Sequence, residues 1–387
     1  MTRIETDWLN TTATQGVFAM LTEAGFQAFA VGGCVRDSLL GVPVKDIDIS
    51  TDALPDKVMA LADDAGFHAV PTGIEHGTVT VVADHVPHEI TTFRHDVETD
   101  GRRATIAFAD SIDEDARRRD FTMNALFADQ SGEISDPIGG LPDLWARRIR
   151  FIEDADTRIR EDYLRSLRFF RFHAWYGDPG EGFDAEAVAA IAANIAGLET
   201  LSRERVGAEV LKLLAAPDPA PSVAGMRSTG VLGSILPGAD DRALAPLVHL
   251  EQTVGTSADA LRRLAVLGGD NLRAGLRLSR KDATRLAGIR EAIALTPDEA
   301  GFRHGAETAR DGILVAAAVA GQDVDEAALE RAQFAAAQTF PIKAADLMPD
   351  LNGPALGEAM KRLEREWIGS GFTLTRKELI ARASKEG

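Results

Sequence analysis

The chain has 387 residues, 45% of them hydrophobic, and a formal net charge of −18. That length suffices for two to four modules with a substantial core, and no apolar run approaches the roughly 20 residues of a membrane-spanning helix. The single cysteine, Cys34, excludes an internal disulfide and a cysteine-built zinc site, and the acidic total argues against a nucleic-acid partner unless one face is locally basic.

The first ten residues, MTRIETDWLN, contain acids and no apolar core, so they do not read as a secretory signal, and the expected compartment is the cytoplasm. Thr11 to Ala24 has apolar positions at helical spacing, and Phe26 to Val31 reads as a strand. The next stretch, VGGCVRDSLLGVPVKDIDIS from Val31 to Ser50, is the most informative in the chain. The pair Gly32-Gly33 lets backbone N–H groups approach an anion, and Arg36 adds a fixed positive charge. Cys34, between Gly33 and Val35, reads as a small buried residue. Asp46 and Asp48 flank Ile47, so in extended chain both carboxylates point the same way. Two adjacent carboxylates repel unless a cation lies between them, and hard oxygen ligands at this spacing suit magnesium, which also takes ligands from substrate phosphates. A phosphate cradle beside such a pair points to phosphoryl or nucleotidyl transfer.

Ile47 to Thr51 reads as a strand, Leu54 to Ala65 as a helix with Asp52 near its start, and His68 to Val70, Thr78 to Ala83 and His88 to Phe93 as further strands. Glu89 is either a third carboxylate beside Asp46 and Asp48 or a solvated strand residue. After it, RHDVETDGRR, Arg94 to Arg103, reads as a polar loop. RRDFTMNAL, Arg118 to Leu126, supplies guanidinium forks that suit phosphate, and Asp120 or Asn124 can hold a ribose hydroxyl. EDYLRSLRFFRF, Glu161 to Phe172, reads as one amphipathic helix with Asp162, Arg165 and Arg168 near one face.

Several of these strings, in this order, resemble the motifs of the class II tRNA nucleotidyltransferases and the bacterial poly(A) polymerases. GG-xx-RD with D-x-D resembles motif A, RRDFTMNAL motif B, and EDYLRSLRFFRF motif D. FRHDVETDGRR resembles the family's flexible loop, DPIGGLPDLWARRIRF its connector, and LSRERVGAEVLKLL, Leu201 to Leu214, the helix after motif D. The resemblance implies an α+β fold: a small mixed-sheet nucleotidyltransferase head over residues 1–140, then a helical neck with a nucleobase-reading helix (141–215), a helical body (216–342) and a helical, tRNA-binding tail (343–387). It implies that Asp46 and Asp48, with Glu89 as a candidate third acid, hold magnesium. Gly32, Gly33, Arg36, Arg118, Arg119, Asp120 and Asn124 would bind the nucleoside triphosphate, and Asp162 and Arg165 would read its base with Arg168 and Arg171 in support. The implied reaction adds the 3′-terminal CCA of tRNA from CTP and ATP, with neither DNA nor membrane involved. The alternatives are a poly(A) polymerase, an enzyme adding only CC or only A, and a non-catalytic RNA-binding relative; the last should have lost a metal carboxylate, whereas both are present.

From Asp184 to Ile342 the composition is rich in alanine and leucine at helical periodicity, and LRLSRKDATRL offers Arg277, Arg280 and Lys281 for RNA backbone contact. From Lys361 to Lys385 there are seven basic residues against three acidic ones. That local excess makes the tail the expected contact with RNA phosphates.

Overall fold

The computed structural model describes residues 2–100, 103–348 and 350–383. The chain divides into two compact units, Met1–Glu209 with Gly225–Ile235, and Val210–Ala224 with Leu236–Gly387.

The first unit opens with α1 (Thr12–Thr22), capped by the Thr11 side chain, then β1 (Ala28–Val31), α2 (Gly33–Leu39), β2 (Ile47–Thr51) and α3 (Pro55–Asp64). Asp52 does not cap α3. Its carboxylate accepts the Gln27 main-chain N–H at 2.7 Å, and Pro55, whose missing N–H costs nothing in a first turn, starts the helix. There follow β3 (His68–Gly73), β4 (Thr78–Ala83), β5 (Val86–Thr92), β6 (Arg94–Asp100), β7 (Arg103–Phe108), α4 (Ile112–Arg117), β8 (Phe127–Ala128) and β9 (Ile134–Ser135). Among the described residues, seven strands form one sheet in the order β3-β4-β5-β2-β1-β8-β9. The β2–β5 pair is parallel and the others are antiparallel, so the sheet is mixed.

The expected polar loop is instead a hairpin: β6 pairs antiparallel with β7, Arg94 opposite Phe108 and His95 opposite Ala107. Backbone pairing there needs no apolar alternation, which is why composition hides it. Gly101 and Arg102 lie outside the described residues.

The unit continues with α5 (Leu141–Trp145), α6 (Ala155–Glu161), α7 (Leu164–Tyr176), α8 (Ala185–Ala193) and the start of α9 (Arg203–Leu214); α10 (Ala220–Ser228) and α11 (Val231–Ile235) follow in the chain. Gly140 lets the connector close onto the 3₁₀ turn at Thr122–Asn124, since a Cβ there would sit 2.2 Å from the Thr122 carbonyl oxygen. Phe121 packs against Phe151, Phe169 and Phe172 with ring centroids 4.9–6.3 Å apart, fixing α7 against the segment that carries Arg118 to Asn124.

The expected single helix over Glu161 to Phe172 is two. Asp162 is extended (φ −151°, ψ 103°) and separates α6 from α7, so it does not share a helix face with Arg165.

The second unit contains α12 (Leu244–Thr253), α13 (Ala260–Leu267), α14 (Leu272–Gly275), α15 (Arg280–Ala292), α16 (Pro297–Ala320, broken at Gly305), α17 (Glu326–Ala336), α18 (Gly353–Gly369) and α19 (Arg376–Ala383). Beyond β9 the described residues hold helices and turns, with only single β-bridges besides. No helix of the described residues is long and apolar enough to cross a membrane. The tail helices close over their own apolar cluster, with Leu363, Trp367 and Leu379 buried and Phe302 and Phe340 packed against it.

Two arginines sit in this unit's interior. Arg262 binds Glu251 at 2.7 Å and Asp311 at 2.9 Å, and Arg263 binds Glu251 at 2.7 Å. Arg263 also donates to the carbonyls of Leu214, Ala216 and Pro217, satisfying acceptors that the end of α9 leaves open. Removing one member of such a group strands the opposite charge in the core. Glu251→Ala is therefore expected to cost about 3–5 kcal/mol of stability. A urea titration followed by tryptophan fluorescence reads this as a lowered midpoint, and an unchanged midpoint would show that the arginines find other partners.

Candidate active site

The sheet sets the carboxylates. Ile47 and Ile49 point into the core, which turns Asp48 to the opposite face of β2. In the parallel pairing Asp48 lies beside Glu89 of β5, and Asp46 stands just before the strand. Glu89 and Asp46 are exposed and Asp48 half-buried. Burial, with the charges of Glu89 and Asp46, pushes the Asp48 carboxyl up to about 6 against the opposing pull of Arg119. A group held this way is a carboxylate waiting for positive charge.

Behind it, Gly32 adopts φ 70° at the entry to α2, a left-handed conformation that suits glycine. A Cβ on Gly32 would lie 3.5 Å from Nη1 of Arg119. The first-turn N–H groups of Gly33, Cys34 and Val35 have no intrahelical carbonyl to bind. The Cys34 thiol is buried and its pKa is pushed up to about 11 by that burial, so it is inert packing, as read from its neighbours.

The basic groups are held by shared carboxylates. Asp115, fully buried on α4, receives Nε of Arg118 at 2.7 Å and Nη2 of Arg119 at 2.8 Å. Arg119 also donates to Ser50 Oγ at 3.2 Å. Burial pulls the Arg118 guanidinium down to about 10, with Asp115 opposing it. Asp120 forms the second node: Asn124 Nδ2 donates at 2.9 Å to one oxygen and Arg168 Nε at 2.7 Å to the other. Burial alone would raise the Asp120 carboxyl, but Arg168 and Asn124 hold it below the usual carboxylate range. Arg36 is buried and donates to Asn124 Oδ1 at 2.6 Å, Asp37 at 2.8 Å and the Tyr176 hydroxyl at 2.7 Å. One chain of hydrogen bonds thus runs from α2 through Asn124 and Asp120 to α7.

The remaining expected residues lie around this chain. Arg165 donates to the Arg118 carbonyl at 3.1 Å and the Arg158 carbonyl at 2.8 Å, and is ion-paired with Glu161. Asp162 accepts the Leu164 main-chain N–H at 3.1 Å and Arg205 at 2.6 Å. Arg171 is bound to Glu209 at 2.6 Å. The structure therefore brings Gly32, Gly33, Arg36, Asp46, Asp48, Glu89, Arg118, Arg119, Asp120, Asn124 and Arg168 together, ties Arg165 to them through the Arg118 carbonyl, and anchors Asp162 apart on Arg205.

Sequence reasoning missed Asp115, Glu161, Tyr176, Arg205 and Glu209. Asp115 precedes Arg118 and Arg119 by three and four residues, and Glu161 precedes Arg165 by four, so helical spacing was an available signal for both. Tyr176, Arg205 and Glu209 carry no local signal toward their partners.

With this geometry in view, comparison with known proteins is direct. Residues 28–150 match the poly A polymerase head domain, and residues 182–242 match a probable RNA and SrmB-binding site of polymerase A. A CCA-adding enzyme of Geobacillus thermodenitrificans is 42% identical over 225 residues, 58% of this chain and 54% of the relative. One from Streptococcus pyogenes serotype M2 is 43% identical over 205 residues, 52% of this chain and 49% of the relative. The chain thus spans about half the length of the curated relatives it matches. Among solved structures, the Bacillus stearothermophilus CCA-adding enzyme in complex with CTP aligns with TM-score 0.76 at 30% identity, covering 96% of each chain. The Thermotoga maritima CCA-adding enzyme complexed with tRNA shares the fold, with TM-score 0.67 at 19% identity over 98% of this chain and 96% of that one. Fold and site define a nucleotidyltransferase-type head with appended helices. The chain belongs to the CCA-adding nucleotidyltransferase family.

Proposed function

We propose that this protein is a CCA-adding tRNA nucleotidyltransferase, which extends or repairs tRNA 3′ ends from CTP and ATP and releases pyrophosphate. The observation that carries the reading is the Asp46–Asp48 pair set beside the Gly32–Arg119 cradle, within a fold shared almost end to end with a relative solved with CTP. The division into head 1–140, neck 141–215, body 216–342 and RNA-contacting tail 343–387 belongs to the same proposal, as does a cytoplasmic location.

The donor set fits magnesium. Among the described residues no three His, Cys, Asp or Glu side chains converge as ligands. A hard cation held by one or two carboxylates needs no more from the protein, because phosphate oxygens and water complete its shell. The raised Asp48 carboxyl is the state a cation would relieve. Asp46 and Asp48 would hold it, with Glu89 as the nearest further oxygen donor. A magnesium ion held there would supply Lewis-acid activation of the RNA 3′-hydroxyl and offset charge on the departing pyrophosphate.

The chain's own groups do the rest. The 3′-oxygen bonds to the α-phosphorus as the bond from that phosphorus to the β-phosphate bridge breaks. Arg119 and the first-turn N–H groups of α2 donate to phosphate oxygens, and Arg118 adds charge beside them. Asp120 and Asn124, fixed by Arg168 and Arg36, orient the ribose. Asp162 and Arg165 read the base edge, and Arg171 supports α7 through Glu209.

Because Asp115 holds both arginines, Asp115→Asn should loosen them together. A misplacement of about 1 Å can cost roughly a hundredfold, so kcat/KM for CTP and ATP is expected to fall about that much. Steady-state kinetics checks this, and a fall for only one triphosphate would contradict it. The function itself is tested by offering each labelled triphosphate with tRNA that lacks its CCA end. Incorporation from CTP and ATP but not UTP or GTP is expected, and no incorporation from any would refute it.

A further inference from the structure

An arginine groove lies in the second unit where α14 turns into α15. It measures about 860 Å³ and is lined by Arg273, Arg277, Arg280 and Arg290 above Leu272 and Leu286. Among the described residues no carboxylate lines it, although the chain as a whole carries −18.

Three observations set this groove apart. First, Asn271 and Arg277 bracket α14 in the left-handed region, at φ 48° and 49°. Arginine rarely adopts that conformation, and such strain collects at functional surfaces. Second, Arg273 and Arg280 have no side-chain hydrogen bond or ion pair among the described residues. Third, other basic surfaces of this unit are largely neutralised. A neighbouring groove that shares Arg280 is lined by Lys281, Arg285 and Arg303. Arg285 is bound to Asp259 and Asp311, each at 2.7 Å, and Arg303 to Glu299 at 2.8 Å. In the tail, Arg376 is paired with Asp346 at 2.7 Å, Arg382 with Glu366 at 3.0 Å and Lys361 with Glu358 at 3.2 Å.

We propose that the groove binds the phosphodiester backbone of RNA, and that it, rather than the basic tail, makes the main phosphate contacts of this unit. This rests on the reading of RNA as the substrate. Guanidinium forks donate to phosphate oxygens in pairs, and cations without internal partners need break nothing to do so. In the tail, Lys361, Arg376 and Arg382 must first leave their carboxylates.

The test uses the full-length protein and tRNA lacking its CCA end, with binding followed by fluorescence anisotropy from about 50 to 200 mM KCl. Arg273→Gln with Arg280→Gln should flatten the log–log salt slope by about 1.4 to 1.8, two contacts at roughly 0.7–0.9 each. Arg376→Gln with Arg382→Gln should flatten the slope less than the groove pair does. Arg273→Lys with Arg280→Lys should restore it, which separates lost charge from lost fold. An unchanged slope in the glutamine pair overturns the proposal, as does a larger change in the tail pair. If the wild type completes CCA while the groove variant binds normally, only the groove fails. If the wild type binds RNA through the groove but adds no nucleotide, the functional reading fails and the groove stands. A wild type that binds no RNA overturns both.

Discussion

Asp48→Asn is expected to lower nucleotide addition more than roughly a hundredfold, and Asp46→Asn to do the same, with tRNA affinity kept. Loss of an outer-shell partner of a metal ligand already costs about 10- to 100-fold, and these substitutions change the ligands themselves. Neither carboxylate makes a hydrogen bond or ion pair among the described residues, so no internal contact is lost with the charge. Asp48 is crowded by Glu89 and Asp46, so the neutral amide should also relieve repulsion within the head. The expected signature is therefore a protein that melts no lower than wild type and is nearly inactive. Near-normal rates in either variant would remove the metal assignment.

The second large effect concerns base choice. Cytosine and adenine each present an amine donor beside a ring-nitrogen acceptor, whereas uracil and guanine place an oxygen where the amine would be. A carboxylate therefore accepts from C or A and repels U or G, and a guanidinium donates to the ring nitrogen. Asp162 and Arg165 are proposed to supply these groups, although the break between α6 and α7 gives them different supports. Arg205 orients Asp162, and the Glu161 ion pair and two main-chain carbonyls hold Arg165. A well-placed bidentate contact is worth about 1–3 kcal/mol of discrimination, and a polar group left unpaired against the wrong base adds to it. Asp162→Ala and Arg165→Ala should each slow C and A addition about ten- to a hundredfold and admit measurable U or G. Single-nucleotide incorporation with each triphosphate reads this directly. Full preference at normal rates in both variants would place base selection elsewhere.

Much of the head was legible in the chain because its signals are local. The alternation around Asp46 and Asp48 gave a strand over Ile47–Thr51, and the structure places β2 there. What sequence reading lost was tertiary. Arg36 reads locally as an open phosphate ligand, yet its partners Asn124 and Tyr176 lie 88 and 140 residues away. The helix expected through Asp162 breaks because that residue binds Leu164 N–H and Arg205, and Arg205 is 43 residues distant. Strands of two residues, such as β8 and β9, are too short to show alternation. Tail basicity was visible, but the pairing of Arg376 with Asp346 and of Arg382 with Glu366 was not.

The central claim is most directly tested by sequencing 3′ ends. The protein is incubated with tRNA ending before its CCA, in CTP alone, ATP alone and the two together. The account predicts CC from CTP alone, CCA from the mixture, and no extension beyond the terminal A. Runs of A from ATP alone would mark a poly(A) polymerase, and products stopping at CC in the mixture would mark a partial enzyme; either would contradict it.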